Sequence, residues 1–275
     1  MYDIVLQGGT IVDPSTGLSG AQDIAVQDGN IARIAPSIPS DEANLAWQAA
    51  ESLAAIRQTA GRGAHIRLEK RIPAGAGLGG GSSDAAACLV ALNRLWDLGL
   101  TNADLALLAG RLGSDVPYFL HGGTARLSGR GTEVTALPDL PVHPILLVYP
   151  GAPLTSREVY SLVRAPLTQG VKTASMTHFG PIADSDIEAW VRCGNDLVPH
   201  ARQLCPVIGE IEASLLAAGA SVVAMTGSGS TVFGVFLDAA RLEGAARSLA
   251  RPGWRVMPCE MLGARDYQNH LGLTG

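Results

Sequence analysis

With 275 residues, 47% of them hydrophobic, the chain can build one large domain or two smaller ones around a sizeable core, which excludes disorder as a first reading. A formal net charge of −5 without a run of Lys or Arg excludes the electrostatic footprint of a nucleic-acid binder or membrane-surface protein, so a small anionic ligand has to be met by local donors. Cys88, Cys193, Cys205 and Cys259 stand far apart with no C-x-x-C pair, the pattern of reduced, buried thiols, and no apolar stretch is long enough to span a membrane or lead a secreted chain; the expectation is a soluble cytoplasmic protein, monomer or homodimer.

In chain order, residues 1–38 alternate apolar and polar positions around turn signals at Gly8-Gly9, Pro14 to Gly20 and Asp28-Gly29, which predicts three or four short strands. Beyond Pro36 and Pro39, Asp41 to Arg57 places Leu45, Ala49, Leu53 and Ile56 near one face of a helix. His65 to Leu68 reads as a strand, Ser82 to Leu98 as a helix stopped by Gly99, and Thr101 to Leu112 as a helix opened by Thr101-x-x-Asp104 and closed by Gly113. Pro138, Pro141 and Pro144 cluster at a domain boundary near residue 142. After it come a strand from Pro144 to Tyr149, a helix from Leu204 to Ala218, and a hairpin of Ser221 to Met225 and Thr231 to Leu237 around a glycine-serine loop. The fold class is α+β.

The chemistry concentrates in Pro73, Ala74, Gly75, Ala76, Gly77, Leu78, Gly79, Gly80, Gly81, Ser82 and Ser83, just ahead of a predicted helix. Glycines let a backbone close on an anion, and the free N–H groups and dipole of a helix start favour negative charge, so the natural occupant is a phosphate. Ser82 and Ser83 add hydroxyls that cap the helix, touch the phosphate or reach Mg²⁺ through water. The plainer alternative is a flexible loop with a serine cap. Gly75-x-Gly77-x-x-Gly80 formally matches a dinucleotide fingerprint, but the charged segment Arg67 to Pro73 is unlike the buried strand that such a turn follows. A P-loop needs a Lys directly after its last Gly, whereas Lys70 and Lys172 are the chain's lysines. There is no H-E-x-x-H and no G-x-S-x-G, and His121 reads as structural or solvated.

The string from Pro73 to Ala86 resembles the ATP-binding motif of the GHMP kinase superfamily, and further strings agree in order: Asn44-Leu45, Leu112 to Phe119, Tyr149-Pro150-Gly151, Val159-Tyr160, Asn195-Asp196-Leu197 and Met225 to Ser230. The resemblance runs from about residue 40 to the end. It implies a two-lobed kinase with lobes at 39–142 and 143–275, ATP and Mg²⁺ as cofactors, and transfer of the γ-phosphate to a tertiary hydroxyl of a cytidine-diphosphate-linked methylerythritol. By the same resemblance Asp115 is the catalytic residue that orients or deprotonates the acceptor hydroxyl, Asn44 and Lys70 border the adenine, Tyr160 stacks on the cytosine, and Thr226, Gly227, Ser228 and Gly229 close on the substrate phosphates. From the residues alone Asp115 is equally a helix cap, and the loop from Thr226 to Ser230 has the plainer alternative of a hairpin turn without a ligand.

The opening departs from that family, whose first strand carries Pro-Ala-Lys and continues to Asp-Gly-Tyr-His. Residues 1–38 contain no lysine, and Tyr2 to Pro14 with Asp23 to Ile31 resemble the first strands of a dihydroorotase-type amidohydrolase instead. The chain reads as chimeric, with Arg33 the cation available in its foreign segment. Two rival functions follow: a catalytically dead nucleotide-binding fusion, and a kinase of the same superfamily acting on another small molecule.

Overall fold

Three antiparallel strands open the chain: β1 (Ile4–Asp13), β2 (Leu18–Gln27) and β3 (Asn30–Pro36). They belong to a computed structural model that describes residues 4–13, 18–27, 30–36, 42–56, 64–163 and 194–273. β2 pairs with both neighbours, Leu6 opposite Ile24 and Ala25 opposite Arg33, and the register slips between Leu6 and Gly9, where the Gly8-Gly9 signal stands. Gln27 pairs with Asn30 across Asp28-Gly29, which itself lies outside the described residues. Among the described residues these strands form a sheet of their own.

A helical layer follows. α1 (Leu45–Ala54) starts where the Asn44 side chain accepts from the Ala46 N–H at 2.9 Å, and it buries Ala46, Ala49 and Leu53. Ile56 is exposed, and Asp41 and Arg57 lie outside the described residues. α2 (Gly80–Leu95) packs Ala85, Ala86 and Leu89 against Ala49 and Leu53, small side chains that let the two helices approach. α3 (Asn102–Leu112) opens with the expected reciprocal box, Thr101 and Asp104 each capping the other's backbone N–H. A short α4 (Tyr118–His121) and the hairpin β4 (Ala125–Ser128) and β5 (Glu133–Ala136) complete this part.

The second core is an antiparallel sheet in the order β7 (Val222–Met225), β8 (Val232–Val235), β6 (Pro144–Tyr149), β9 (Arg255–Glu260). Pro258 is tolerated because β9 is an edge strand with one partner. α5 (Ser156–Ser161), α6 (Val198–Leu204), α7 (Val207–Ala217) and α8 (Ala239–Leu249) accompany the sheet, and Leu146, Val148, Ile208, Ile211, Leu215 and Phe236 are sealed within. α9 (Ala264–Leu271) returns to the first core, where the Tyr267 hydroxyl donates to the Phe119 carbonyl at 2.8 Å and Leu271 packs on the helical cluster. No helix among the described residues is long and apolar enough to cross a membrane.

Four expectations need correction. His65 to Leu68 is not a strand: the segment is irregular, because no described strand offers it a ladder partner. The helix expected over Leu204 to Ala218 is two, broken at Cys205-Pro206, since Pro206 has no N–H to continue the ladder. Ser82 and Ser83 do not cap α2; the cap is Gly79, which carries no side chain to do so, and the Ser83 hydroxyl donates back to the Gly80 carbonyl at 2.9 Å. The thiols are not uniformly buried: Cys205 is, Cys88 is half-buried, Cys259 is exposed, and Cys193 lies outside the described residues.

Candidate functional site

The glycine-rich loop is held from below by the second core. The Gly75 carbonyl accepts from the Leu154 N–H at 2.9 Å and the Ala76 carbonyl from the Thr231 N–H at 3.3 Å, with Ala76 buried. Gly77 lies against the β7–β8 turn so closely that a Cβ would stand 2.8 Å from the Thr226 carbonyl oxygen. Gly79 takes φ 65°, ψ 16° over the ring of Phe119, where a Cβ would approach Cζ to 2.6 Å. A left-handed residue with no side chain is thus the point at which the loop turns into α2. The first intrahelical bond is Ser83 N–H to Gly79 carbonyl, so the N–H groups of Gly80, Gly81 and Ser82 have no acceptor within the helix.

Those residues line an open cleft of about 1320 Å³, together with Asn44, Lys70, Asp84, Ser114, Asp115, Arg130, Tyr160, Asn195, Gly227 and Ser228. That exceeds the roughly 300–1,000 Å³ common for one small ligand and leaves room for two. Asp115 is exposed in the turn between α3 and α4. It does not act as a cap for α4, whose N-cap is Pro117 without a side-chain bond, and its carboxylate makes no hydrogen bond or ion pair among the described residues. The Lys70 ammonium is ion-paired to Asp84 in the first turns of α2. Burial, and secondarily the Asp84 charge, push the Cys88 thiol up, so it stays protonated and is no nucleophile at neutral pH.

The other wall is braced by hydrogen bonds. Asn195 donates to the carbonyls of Gly227, at 2.8 Å, and Met225, at 3.2 Å, while accepting from the Leu197 N–H at 3.0 Å. Ser156 and Ser228 hydroxyls share a bond of 3.0 Å, and Ser230, fully buried, donates to the Ala152 carbonyl. Thr155 and Glu158 form a second capping box that fixes the start of α5, and these bonds hold the Glu158 carboxyl below the usual carboxylate range. α5 carries Tyr160, half exposed, to the cleft.

Of the residues expected at the site, Asn44, Lys70, Pro73 to Ser82, Asp115, Tyr160, Gly227 and Ser228 meet at this one cleft. Ser83, Thr226 and Gly229 do not line it: Ser83 faces its own helix, the Thr226 hydroxyl contacts the Thr231 carbonyl, and Gly229 sits on Met225 Sδ. Sequence reasoning missed Asp84, Ser114, Arg130, Thr155 and Ser156. Gly129-Arg130-Gly131 carries a turn signal, and Thr155-x-x-Glu158 obeys the rule that found the α3 box, so both were open to detection. Among the described residues no cluster of three or more His, Cys, Asp or Glu side chains is placed to hold a metal ion.

Two family models match this chain: the GHMP kinases N terminal domain over residues 44–123 and the GHMP kinases C terminal domain over 185–253. A protein of Pelobacter propionicus named 4-diphosphocytidyl-2-C-methyl-D-erythritol kinase is 38% identical over 226 residues, covering 82% of this chain and 79% of its own length. A protein of the same name from Pelotomaculum thermopropionicum is 42% identical over 215 residues, covering 78% and 73%. The crystal structure of a 4-(cytidine 5'-diphospho)-2C-methyl-D-erythritol kinase superposes with a TM-score of 0.64 at 36% identity, covering 82% of this chain and 80% of that one.

Proposed function

This chain belongs to the GHMP kinases, and within them to the 4-diphosphocytidyl-2-C-methyl-D-erythritol kinase family, and on that premise we propose that it transfers the γ-phosphoryl of ATP to the 2-hydroxyl of 4-diphosphocytidyl-2-C-methyl-D-erythritol, a step of non-mevalonate isoprenoid biosynthesis. The observation that carries the reading is convergence: the unbonded N–H groups at the start of α2 and the unpaired Asp115 carboxylate open on one cleft large enough for donor and acceptor. In it the backbone of Gly79 to Ser82 holds the donor's phosphates, and Asn44 and Lys70 border its base. Asp115 orients the acceptor hydroxyl and takes its proton as the phosphoryl group arrives. Gly227 and Ser228, braced by Asn195, meet the acceptor's diphosphate, and Tyr160 stacks on its cytosine.

Mg²⁺ belongs to this reading as the ion that neutralises phosphate charge. The Ser82 hydroxyl and the Asp84 carboxylate, both in the cleft lining, are the side chains that would help to hold it, and it would supply charge neutralisation to the transferring phosphoryl group. We assign residues 39–142 to the ATP-binding lobe and 143–275 to the second lobe. Residues 1–38 are a fused, amidohydrolase-like segment.

The test is ADP release coupled to a spectrophotometric readout, with the cytidylyl acceptor and Mg-ATP. Turnover is expected, and Asp115→Asn abolishes it while leaving the nucleotide-induced thermal shift in place. No turnover at high enzyme concentration rejects the catalytic reading, and nucleotide-dependent stabilisation without ADP release then identifies a binding protein. A variant that keeps most of the rate removes Asp115 from the mechanism.

A further inference from the structure

Lys70 and Arg130 are the cationic side chains among the described residues that line the cleft. Lys70 is already committed to Asp84. Arg130 is not: among the described residues its guanidinium has neither an ion pair nor a hydrogen bond, although Arg130, at the tip of the β4–β5 hairpin, lines a site read as taking polyphosphates. With the Lys70–Asp84 pair neutral within itself, the remaining lining charges are the Asp115 carboxylate and this guanidinium.

The hairpin tip is anchored, not splayed into solvent. The Gly131 N–H donates to the Ser128 carbonyl at 2.9 Å, and the Ser128 hydroxyl donates to the Glu133 carboxylate at 2.8 Å. Gly131, at φ +90°, lies over Ser114, where a Cβ would come within 3.3 Å of the Ser114 Cβ. A side chain there would strain the left-handed backbone and crowd the residue next to Asp115 by a few tenths of an ångström. The fold therefore mounts a free guanidinium alongside the acceptor end of the cleft. A planar fork of N–H donors matches two phosphate oxygens at once, which an ammonium cannot do.

We propose that Arg130 is a catalytic residue that grips the non-bridging oxygens of the transferring phosphoryl group as it passes from the nucleotide to the hydroxyl oriented by Asp115. The inference rests on the kinase reading above and adds to it the group that meets charge developing on the phosphoryl in flight. Arginines that do this in other phosphotransferases contribute about 10³–10⁵ in rate, and loss of a single preorganised contact costs about 10²–10³.

Arg130→Ala lowers kcat by about 10²-fold or more while the KM values for ATP and acceptor change less than about threefold. Arg130→Lys restores less than about a tenth of the rate, because charge returns without the fork. Arg130 is exposed, so the far-UV spectrum and the ligand-free melting temperature of both variants match the parent. A raised acceptor KM with unchanged kcat overturns the proposal in favour of a ground-state clamp on the acceptor's diphosphate; an unchanged kcat/KM overturns it in favour of a solvated surface arginine. A second arm dispenses with the acceptor. Mg-ADP with aluminium fluoride stabilises the parent beyond Mg-ADP alone, and Arg130→Ala loses that increment; an increment that survives also overturns the proposal. If the parent chain fails to phosphorylate the cytidylyl acceptor, the substrate assignment falls, and this arm still decides Arg130.

Discussion

Gly77 and Gly81 sit four positions apart in the same glycine-rich stretch, yet their backbones make opposite demands. Gly77 has φ +71°, and a Cβ there would press 2.8 Å from the Thr226 carbonyl oxygen, which no side-chain rotation can relieve. Gly81 lies within α2, where an added Cβ would meet Leu45 Cδ1 at 3.7 Å, an ordinary contact. Gly77→Ala therefore carries about 1–2 kcal/mol of left-handed strain plus the cost of parting the loop from the β7–β8 turn, and its melting temperature falls by several degrees. Gly81→Ala gains up to about 1 kcal/mol of helix propensity and holds or raises the melting temperature. Thermal unfolding of the two variants with and without nucleotide checks both signs, and the nucleotide-induced shift shrinks for Gly77→Ala. Equal destabilisation of the pair contradicts the described contact between the two loops. The glycine string announces a phosphate loop in the sequence, but the division of labour within it is set by Thr226 and Gly229, distant in the chain, and was legible only in the fold.

At the scale of elements, the local rules were readable wherever both halves of a signal lie close together. The Thr101–Asp104 box, the strand Pro144 to Tyr149 and the hairpin around Thr226 to Ser230 stand as the pattern predicts. Where the partner is remote, the pattern misleads: the alternating His65 to Leu68 has no described strand to pair with, and α9 finds its partners on α4. That long-range joint has a measurable signature. Burial, and secondarily the proximity of Tyr118, push the Tyr267 phenol up to about 12. The folded chain then retains a proton that the unfolded chain releases above the ordinary tyrosine value of about 10, so this stability is intact below pH ~10 and is lost as pH rises toward ~12. The loss is about 1 kcal/mol after discounting for the solvent that reaches a half-buried phenol. Urea unfolding midpoints across this window fall in the parent and fall less steeply in Tyr267→Phe, which starts lower by about 1 kcal/mol for want of its bond to Phe119. Parallel slopes in the two proteins detach Tyr267 from the α9 joint.

Across the whole molecule, two hydrophobic cores supply the two walls of one cleft. α1 to α4 carry the start of α2 and Asp115, and the β7-β8-β6-β9 sheet with its helices carries Tyr160, Asn195 and the 227–228 turn. Among the described residues, the ladder of β1 to β3 hydrogen-bonds these strands only to one another. Strand pairing is where a sheet's stability and register reside, so removing a sheet that shares no ladder leaves no described strand of the remainder with an orphaned edge. A chain beginning at Ser40 is accordingly expected to fold and to keep the nucleotide-induced stabilisation of the full chain, on the order of 2.7 kcal/mol at a ligand concentration of 100 times Kd, read as a shift in the melting transition. Its rate of ADP release with the cytidylyl acceptor, measured beside that of the full chain, then states what residues 1–39 give to turnover. An equal rate assigns the phosphoryl-transfer machinery wholly to residues 40–275, within which both family models fall. A truncated chain that aggregates, or that melts at one temperature with and without nucleotide, shows instead that the first strands support the cleft through contacts other than the ladder.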